Sequence, residues 1–197
     1  MTSGTHLVVG LGNPGPTYAF TRHNVGFWAV DDLADRHGAR FSSASRHRAE
    51  VTTVTLAPAP GVDAIKLILM RPTTYMNESG RAVQAVAAFH KIAPAQIIAI
   101  HDELDLDAGR LRVKFGGGDN GHNGLKSMRA HLGTGDFSRV RVGVGRPPGR
   151  QAAADWVLAK LRPSDADAMR VDAAIAADAV ESLVRQGLEA TQNRYNS

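Results

Sequence analysis

Three observations predict an α/β domain with a twisted, mixed but mostly parallel central sheet flanked by helices. Short apolar strand patterns alternate with helical ones along the chain. The 197 residues, 43% of them hydrophobic, suit one domain with a sizeable core. No Pro/Ser-rich linker, internal repeat or low-complexity tract divides residues 1–197.

His6–Leu11 predicts a buried strand, closed by the loop Gly12-Asn13-Pro14-Gly15-Pro16. From about Asn24 to His37, Val25, Trp28, Ala29, Leu33 and Arg36 fall roughly on one helical face, and Gly38 stops the helix. Val51–Leu56 and Ala64–Met70 are β-rich. Pro58-Ala59-Pro60-Gly61 joins them into a hairpin, which makes the sheet mixed. Asn77 to His90 returns to helical spacing through Val83, Val86, Ala87 and Phe89. Ile97–His101 predicts another buried strand, and Arg110–Phe115 alternates basic with apolar residues. Gly116-Gly117-Gly118 predicts a flexible break. A short helix over His122–Leu132, a strand over Val140–Val144 and mainly helix from Ala152 to about Gln186, interrupted at Pro163, complete the chain.

Composition excludes several chemistries. With no cysteine, disulfides, thiolate metal sites and cysteine nucleophiles are ruled out together. The first residues lack the basic start and apolar run of a secretory signal, and the longest apolar stretches are too short to span a bilayer. The expectation is a cytoplasmic protein with no membrane partner. The net charge of +4 is unevenly spread: residues 1–107 balance at −1, residues 108–150 at +7 and residues 151–197 at −2. The excess in the middle segment predicts a surface patch that attracts polyanions. Taken alone it reads equally as a solvated face.

Several motifs compete. Gly10-Leu11-Gly12-Asn13-Pro14-Gly15 matches the dinucleotide fingerprint after a strand. The prolines oppose the helix which that fingerprint needs, and Asp31 and Asp32 fall inside a helix instead of ending a second strand. The glycines are read instead as permitting a sharp turn that brings Asn13 to the carboxyl end of the first strand. The acids from Glu103 onward resemble a calcium loop, but Ala108 replaces the turn glycine and Lys114 the bidentate acid. Asp105 and Asp107 are therefore read as surface carboxylates. Asp102 stands apart because it follows a buried strand at the sheet edge where α/β sites assemble.

Of eight histidines, His23 and His122 each open a predicted helix. That position disfavours imidazolium and leaves a histidine able to accept a proton. The plainer role for His23 is helix capping. Neither a GxSxG elbow, an HExxH pair nor a GxxxxGK[ST] loop is present. Hydrolysis would then use a histidine base, oriented by a carboxylate, to activate water.

The same residues carry a family resemblance. Gly12-Asn13-Pro14-Gly15 with Tyr18 and Thr21-Arg22-His23-Asn24-Val25-Gly26 resembles the N-terminal signature of bacterial peptidyl-tRNA hydrolases. Pro72 to Gly80, His101 to Leu106, Gly116 to Lys126 and Phe137 to Pro147 resemble four further blocks in order, with Asp107 replacing a common proline. The substrate so implied is peptidyl-tRNA, cut at the ester between the peptide and the 3′-terminal ribose of its CCA end. No metal or cofactor is implied, nor an obligatory protein partner, and the resemblance implies a monomer. It makes His23 the base and Asp102 its orienter. Asn13, Asn77 and Asn123 would position peptide, water or oxyanion, with Tyr18, Met76 and His122 also lining the substrate site. Asn77 would double as a helix cap. Lys114 and Arg141 would grip a tRNA phosphate, from a basic face formed by Arg110, Arg112 and Lys114 on one strand and Arg139 and Arg141 on another. The glycine loop would act as a lid. A nicotinamide oxidoreductase and a non-catalytic RNA-binding module are the competing classes.

Overall fold

The computed structural model describes residues 4–197. Its strands are Thr5–Gly10 (β1), Ser42–Ala44 (β2), Ala49–Leu56 (β3), Ile65–Pro72 (β4), Ile97–Glu103 (β5), Leu111–Phe115 (β6) and Ser138–Gly143 (β7). Its helices are Val25–Arg36 (α1), Ser79–Phe89 (α2), Asn123–Leu132 (α3), Ala153–Leu158 (α4), Pro163–Gln186 (α5) and Leu188–Tyr195 (α6). The strands form one sheet in the order β2-β3-β4-β1-β5-β7-β6. The four central strands run parallel, while β2, β3 and β6 pair antiparallel at the edges. The mixed α/β architecture read from the pattern is the one observed.

Alternation along the strands splits the core into two layers. Val8, Ile98 and Val140 join Val30, Leu33, Ala176 and Val180 on the α1/α5 face. Leu7, Val9, Ile97 and Ala99 join Val83, Val86, Met128 and Phe137 on the α2/α3 face. Successive β1 residues therefore bury in opposite directions, the mark of a strand covered on both faces. Each buried Val, Leu, Ile, Met or Phe among them contributes about 1.5–3 kcal/mol relative to exposure.

Several expectations need correction. Phe89 is 67% exposed. It ends α2 at the helix C-terminus, beyond the residues that pack on the sheet. Pro163 does not interrupt a helix but begins one, at the first turn, where a missing N–H is harmless. The break lies just before it, where Lys160 bridges Thr21. The sequence reading missed β2 and α6. β2 is three exposed or half-exposed residues, too short to show alternation. α6 is polar, yet the amide of nearby Asn196 engages both backbone groups of Val113 on the edge strand β6.

The glycine fingerprint has a packing explanation. A Cβ on Gly10 would collide with the Gly26 carbonyl of α1, and one on Gly12 with the Phe27 ring. A Cβ on Gly26 would collide in turn with the Ile100 carbonyl of β5. Gly10 and Gly12 both keep negative φ, so close approach requires them and a sharp turn does not. No helix opens within these glycines. Gly26→Ala should lower unfolding stability by about 1–3 kcal/mol or more, because backbone cannot yield as a side chain can. Urea unfolding of the variant beside the parent measures this.

Candidate active site

β1 and β5 are neighbours, and the turn Arg22–Asn24 that leads into α1 packs against β5. The register sets Asp102 next to last in β5, opposite Val142 of β7. His23 arrives from the turn and His122 from the start of α3. Asp102 Oδ2 lies 2.8 Å from His23 Nδ1, and Asp102 Oδ1 lies 2.7 Å from His122 Nε2. The carboxylate is buried, at 4% exposure. One acid thus joins two imidazoles from segments 79 and 20 positions away.

The tautomers follow from the partners. His122 Nδ1 accepts the Gly124 and Leu125 N–H groups, capping α3, so its Nε2 carries the proton given to Asp102. His23 Nδ1 likewise donates to a carboxylate that can only accept. Its Nε2 keeps a lone pair, and His23 lines a cavity of about 170 Å³ with His122, Asn123, Leu104, Val157 and Leu158. The capping role expected of His23 belongs to His122. The sequence reading assigned His122 to substrate contact and did not see that it shares the carboxylate.

Electrostatics depart from expectation at His23. Burial works to lower its pKa, but the Asp102 charge and hydrogen bond outweigh burial, and the net direction is upward from 6.5. The helix-start effect anticipated from sequence does not prevail. For Asp102 burial opposes ionisation, yet the two imidazoles hold its carboxyl far below the ordinary range. Behind them His101 is buried, its Nδ1 donating to the Asp102 carbonyl at 2.8 Å. Burial first, and then His122, push it down to about 3, so it stays neutral.

The other candidates surround this centre unevenly. Asn13 is buried: its N–H donates to Asn24 Oδ1 at 2.9 Å, and its Oδ1 accepts the Met76 N–H at 2.7 Å. Its Nδ2 is left for another partner. Asn13 lines a neighbouring hollow of about 260 Å³ with Phe27, Trp28 and Arg71, and the His23 cavity does not include it. Met76 is buried, its sulfur against Gly124 at the start of α3. Tyr18 meets Tyr75 edge to face at 6.3 Å. Asn123 opens α3. Asn77 is exposed in the turn Met76–Glu78 and caps nothing; the cap position of α2 is Glu78, without a side-chain bond. The capping half of its expected role is thus corrected.

The basic patch is smaller than the segment count implied. Arg112 pairs in register with Arg141 and Lys114 with Arg139, so these four share a face of the β6/β7 ladder. But Arg141 donates twice to Glu103, at 3.0 and 2.9 Å, and Arg146 pairs with Asp105. Arg129 pairs with Asp119. Arg139 is fully buried, where its guanidinium binds the carbonyls of Gly117, Gly118 and Gly135. The glycine run, expected to be a loose lid, is therefore tied down from beneath. Folding brings Glu103, which ends β5, and Asp105, just after it, onto this segment, and neither local composition nor alternation could reveal that.

A cation has three donors within reach: ring nitrogens of His23 and His122 and an Asp102 oxygen lie within 4.8 Å of one another. His23 Nδ1 and His122 Nε2 are each in hydrogen-bond contact with Asp102.

The chain matches the peptidyl-tRNA hydrolase family over residues 7–197. It belongs to that family. A relative from Cutibacterium acnes named peptidyl-tRNA hydrolase is 60% identical over 195 residues, covering 97% of this chain and 98% of that one. One of the same name from Frankia alni is 52% identical, covering 98% and 95%. The crystal structure of peptidyl-tRNA hydrolase from Acinetobacter baumannii superposes with a TM-score of 0.86 at 36% identity, covering 100% and 97%. The chain is thus an ester hydrolase of the translation apparatus, and family and fold together support peptidyl-tRNA as its substrate. Among the described residues no helix is long and apolar enough to cross a membrane.

The raised His23 pKa has two consequences. If neutral His23 is the active form, the acid limb of kcat/KM should lie above pH 6.5, and Asp102→Asn should move it downward as well as slow the reaction. Because the folded pKa exceeds the unfolded one, the coupling adds stability below the unfolded pKa that is lost as pH rises through the folded one. NMR titration of the His23 ring in parent and variant checks the shift directly.

Proposed function

We propose that the enzyme cleaves the ester between the peptide and the 3′-terminal ribose of peptidyl-tRNA by histidine-activated water. The observation that carries this reading is the His23–Asp102 contact, which commits Nδ1 and leaves Nε2 as a base beside a cavity. Nε2 takes a proton from water as the water oxygen bonds to the ester carbonyl carbon. The ester C–O bond then breaks, the ribose oxygen takes the proton back from His23, and free tRNA and peptide acid leave. Asp102 stabilises the imidazolium formed in between and keeps the ring oriented.

Amide donors suit the oxyanion and the peptide. Asn13 is the best-held of the three, since its own oxygen is engaged by the Met76 N–H and its Nδ2 is directed elsewhere. Asn123, which lines the His23 cavity, is assigned to the carbonyl or the water, and Asn77, in its exposed turn, to the peptide. Tyr18, Met76 and His122 complete the substrate wall. Lys114 and Arg141 are assigned to tRNA phosphate, Lys114 being the freer, because Arg141 is shared with Glu103. The enzyme is taken to work as a cytoplasmic monomer without a metal or cofactor.

His23→Ala should remove nearly all turnover on both full-length peptidyl-tRNA and a peptide esterified to a short 3′ fragment, while the variant still folds with a lowered thermal unfolding temperature, because one oxygen of buried Asp102 loses its donor. Lys114→Ala should raise KM on the long substrate by about tenfold, the size of one charge-assisted contact, and spare the short one. Arg141→Ala is the poorer probe, as it strands buried Glu103. Equal loss on both substrates for Lys114→Ala would place that residue in the cleavage machinery. No loss on either would make the basic face a solubility feature.

A further inference from the structure

α4 has six residues, too few to persist as a helix without outside support. Val157 is its one buried residue, and no side chain among the described residues caps its start. Trp156 supplies the support. Its indole Nε1 donates to the Gly145 carbonyl at 3.0 Å, and its own carbonyl accepts Arg22 Nη1 at 3.4 Å. The Arg22 guanidinium carbon also lies 3.5 Å from the centre of the Trp156 ring. Arg22 Nη2 reaches Asp165 of α5 at 3.9 Å. Just beyond α4, the Leu161 N–H donates to the Phe20 carbonyl at 2.8 Å, and Lys160 bridges Thr21. α4 therefore packs on the turn Arg22–Asn24, which carries His23.

That placement matters because α4 faces the base. Ala153, Ala154, Val157 and Leu158 supply apolar lining to the cavity of about 170 Å³ that His23, Asp102 and His122 also line. Leu158 is 40% exposed, so apolar surface stands open beside the polar centre. Arg22 lines a different hollow, of about 210 Å³, together with Trp156, Asp165 and Met169. Its influence on the His23 cavity therefore passes through Trp156. A planar guanidinium can stack on a ring and donate in its own plane at once, which a lysine ammonium cannot do.

We infer that Arg22 is a positioning residue for the hydrolysis, clamping Trp156 so that α4 stands as the apolar wall against which an uncharged face of the ester end of the substrate rests. The inference takes its substrate from the reading above, while the clamp itself is independent of it. An apolar wall gains contact with substrate by releasing water, and a small displacement of it misplaces the reacting carbonyl. The base and the clamp are neighbours in the chain. One turn thus sets both His23 and the wall that faces it.

Steady-state kinetics on the peptide esterified to a short 3′ fragment tests this away from the tRNA body. Arg22→Met should raise KM about tenfold, the scale of a desolvated cation–π contact, and leave kcat within about twofold. Arg22→Lys keeps the charge but not the planar stack, so it should follow Arg22→Met. Val157→Ala with Leu158→Ala pares the wall itself and should raise KM similarly. Adding Arg22→Met to that pair should then raise it no further. Acrylamide quenching gives a second reading without turnover. In a Trp28→Phe background Trp156 is the remaining indole, and Arg22→Met should make its fluorescence easier to quench. Additive rises in KM, loss of kcat with KM unchanged, or parental quenching would each overturn the assignment. Should Arg22→Met fail to fold, Arg22→Lys carries both measurements. A parent enzyme that leaves the short ester intact would sink the proposed hydrolysis, and quenching would then decide the clamp.

Discussion

The buried carboxylate of Asp102 is the constraint around which the site is arranged. An ionised acid at 4% exposure survives only when its oxygens are occupied, and here each accepts an imidazole N–H. Three elements must converge for that: the end of β5, the turn before α1 and the start of α3. The sheet order places β1 beside β5, and Gly10 and Gly26 let α1 approach closely enough for His23 to reach the acid. Core packing and site geometry are therefore one requirement seen at two scales.

His122 shows the same economy. A single ring caps α3 through Nδ1 and fixes Asp102 through Nε2, so helix position and carboxylate position are coupled. His101 supports them from behind by holding the Asp102 carbonyl. With two donors on the acid, the His23 ring has a raised affinity for protons and only one nitrogen not committed to Asp102.

The main strands and helices were legible from periodicity, and the meeting of His23 with Asp102 from their places at element ends. What escaped was set by tertiary structure. α6 is too polar to reveal a buried face, and β2 too short to show alternation. Arg139 reads as surface charge because its neighbours on β7 alternate correctly, yet Phe137 and the glycine loop cover it. The excess of +7 in residues 108–150 looked like one patch, but Glu103 and Asp105 come from outside the segment to neutralise two of its arginines. Charge counted along a chain measures partners only when folding does not supply them.

The pairing of Asn196 with Val113 carries a consequence for handling the protein. Strand β6 is a sheet edge, and open edges recruit other chains. The asparagine amide satisfies both the N–H and the C=O of Val113, while Gln192 adds a second donor to the same carbonyl. A side chain here imitates the missing neighbouring strand. Proteolytic trimming that removed Asn196 would leave the fold's core intact and expose an adhesive seam, so loss of solubility, and not loss of structure, would be its first sign.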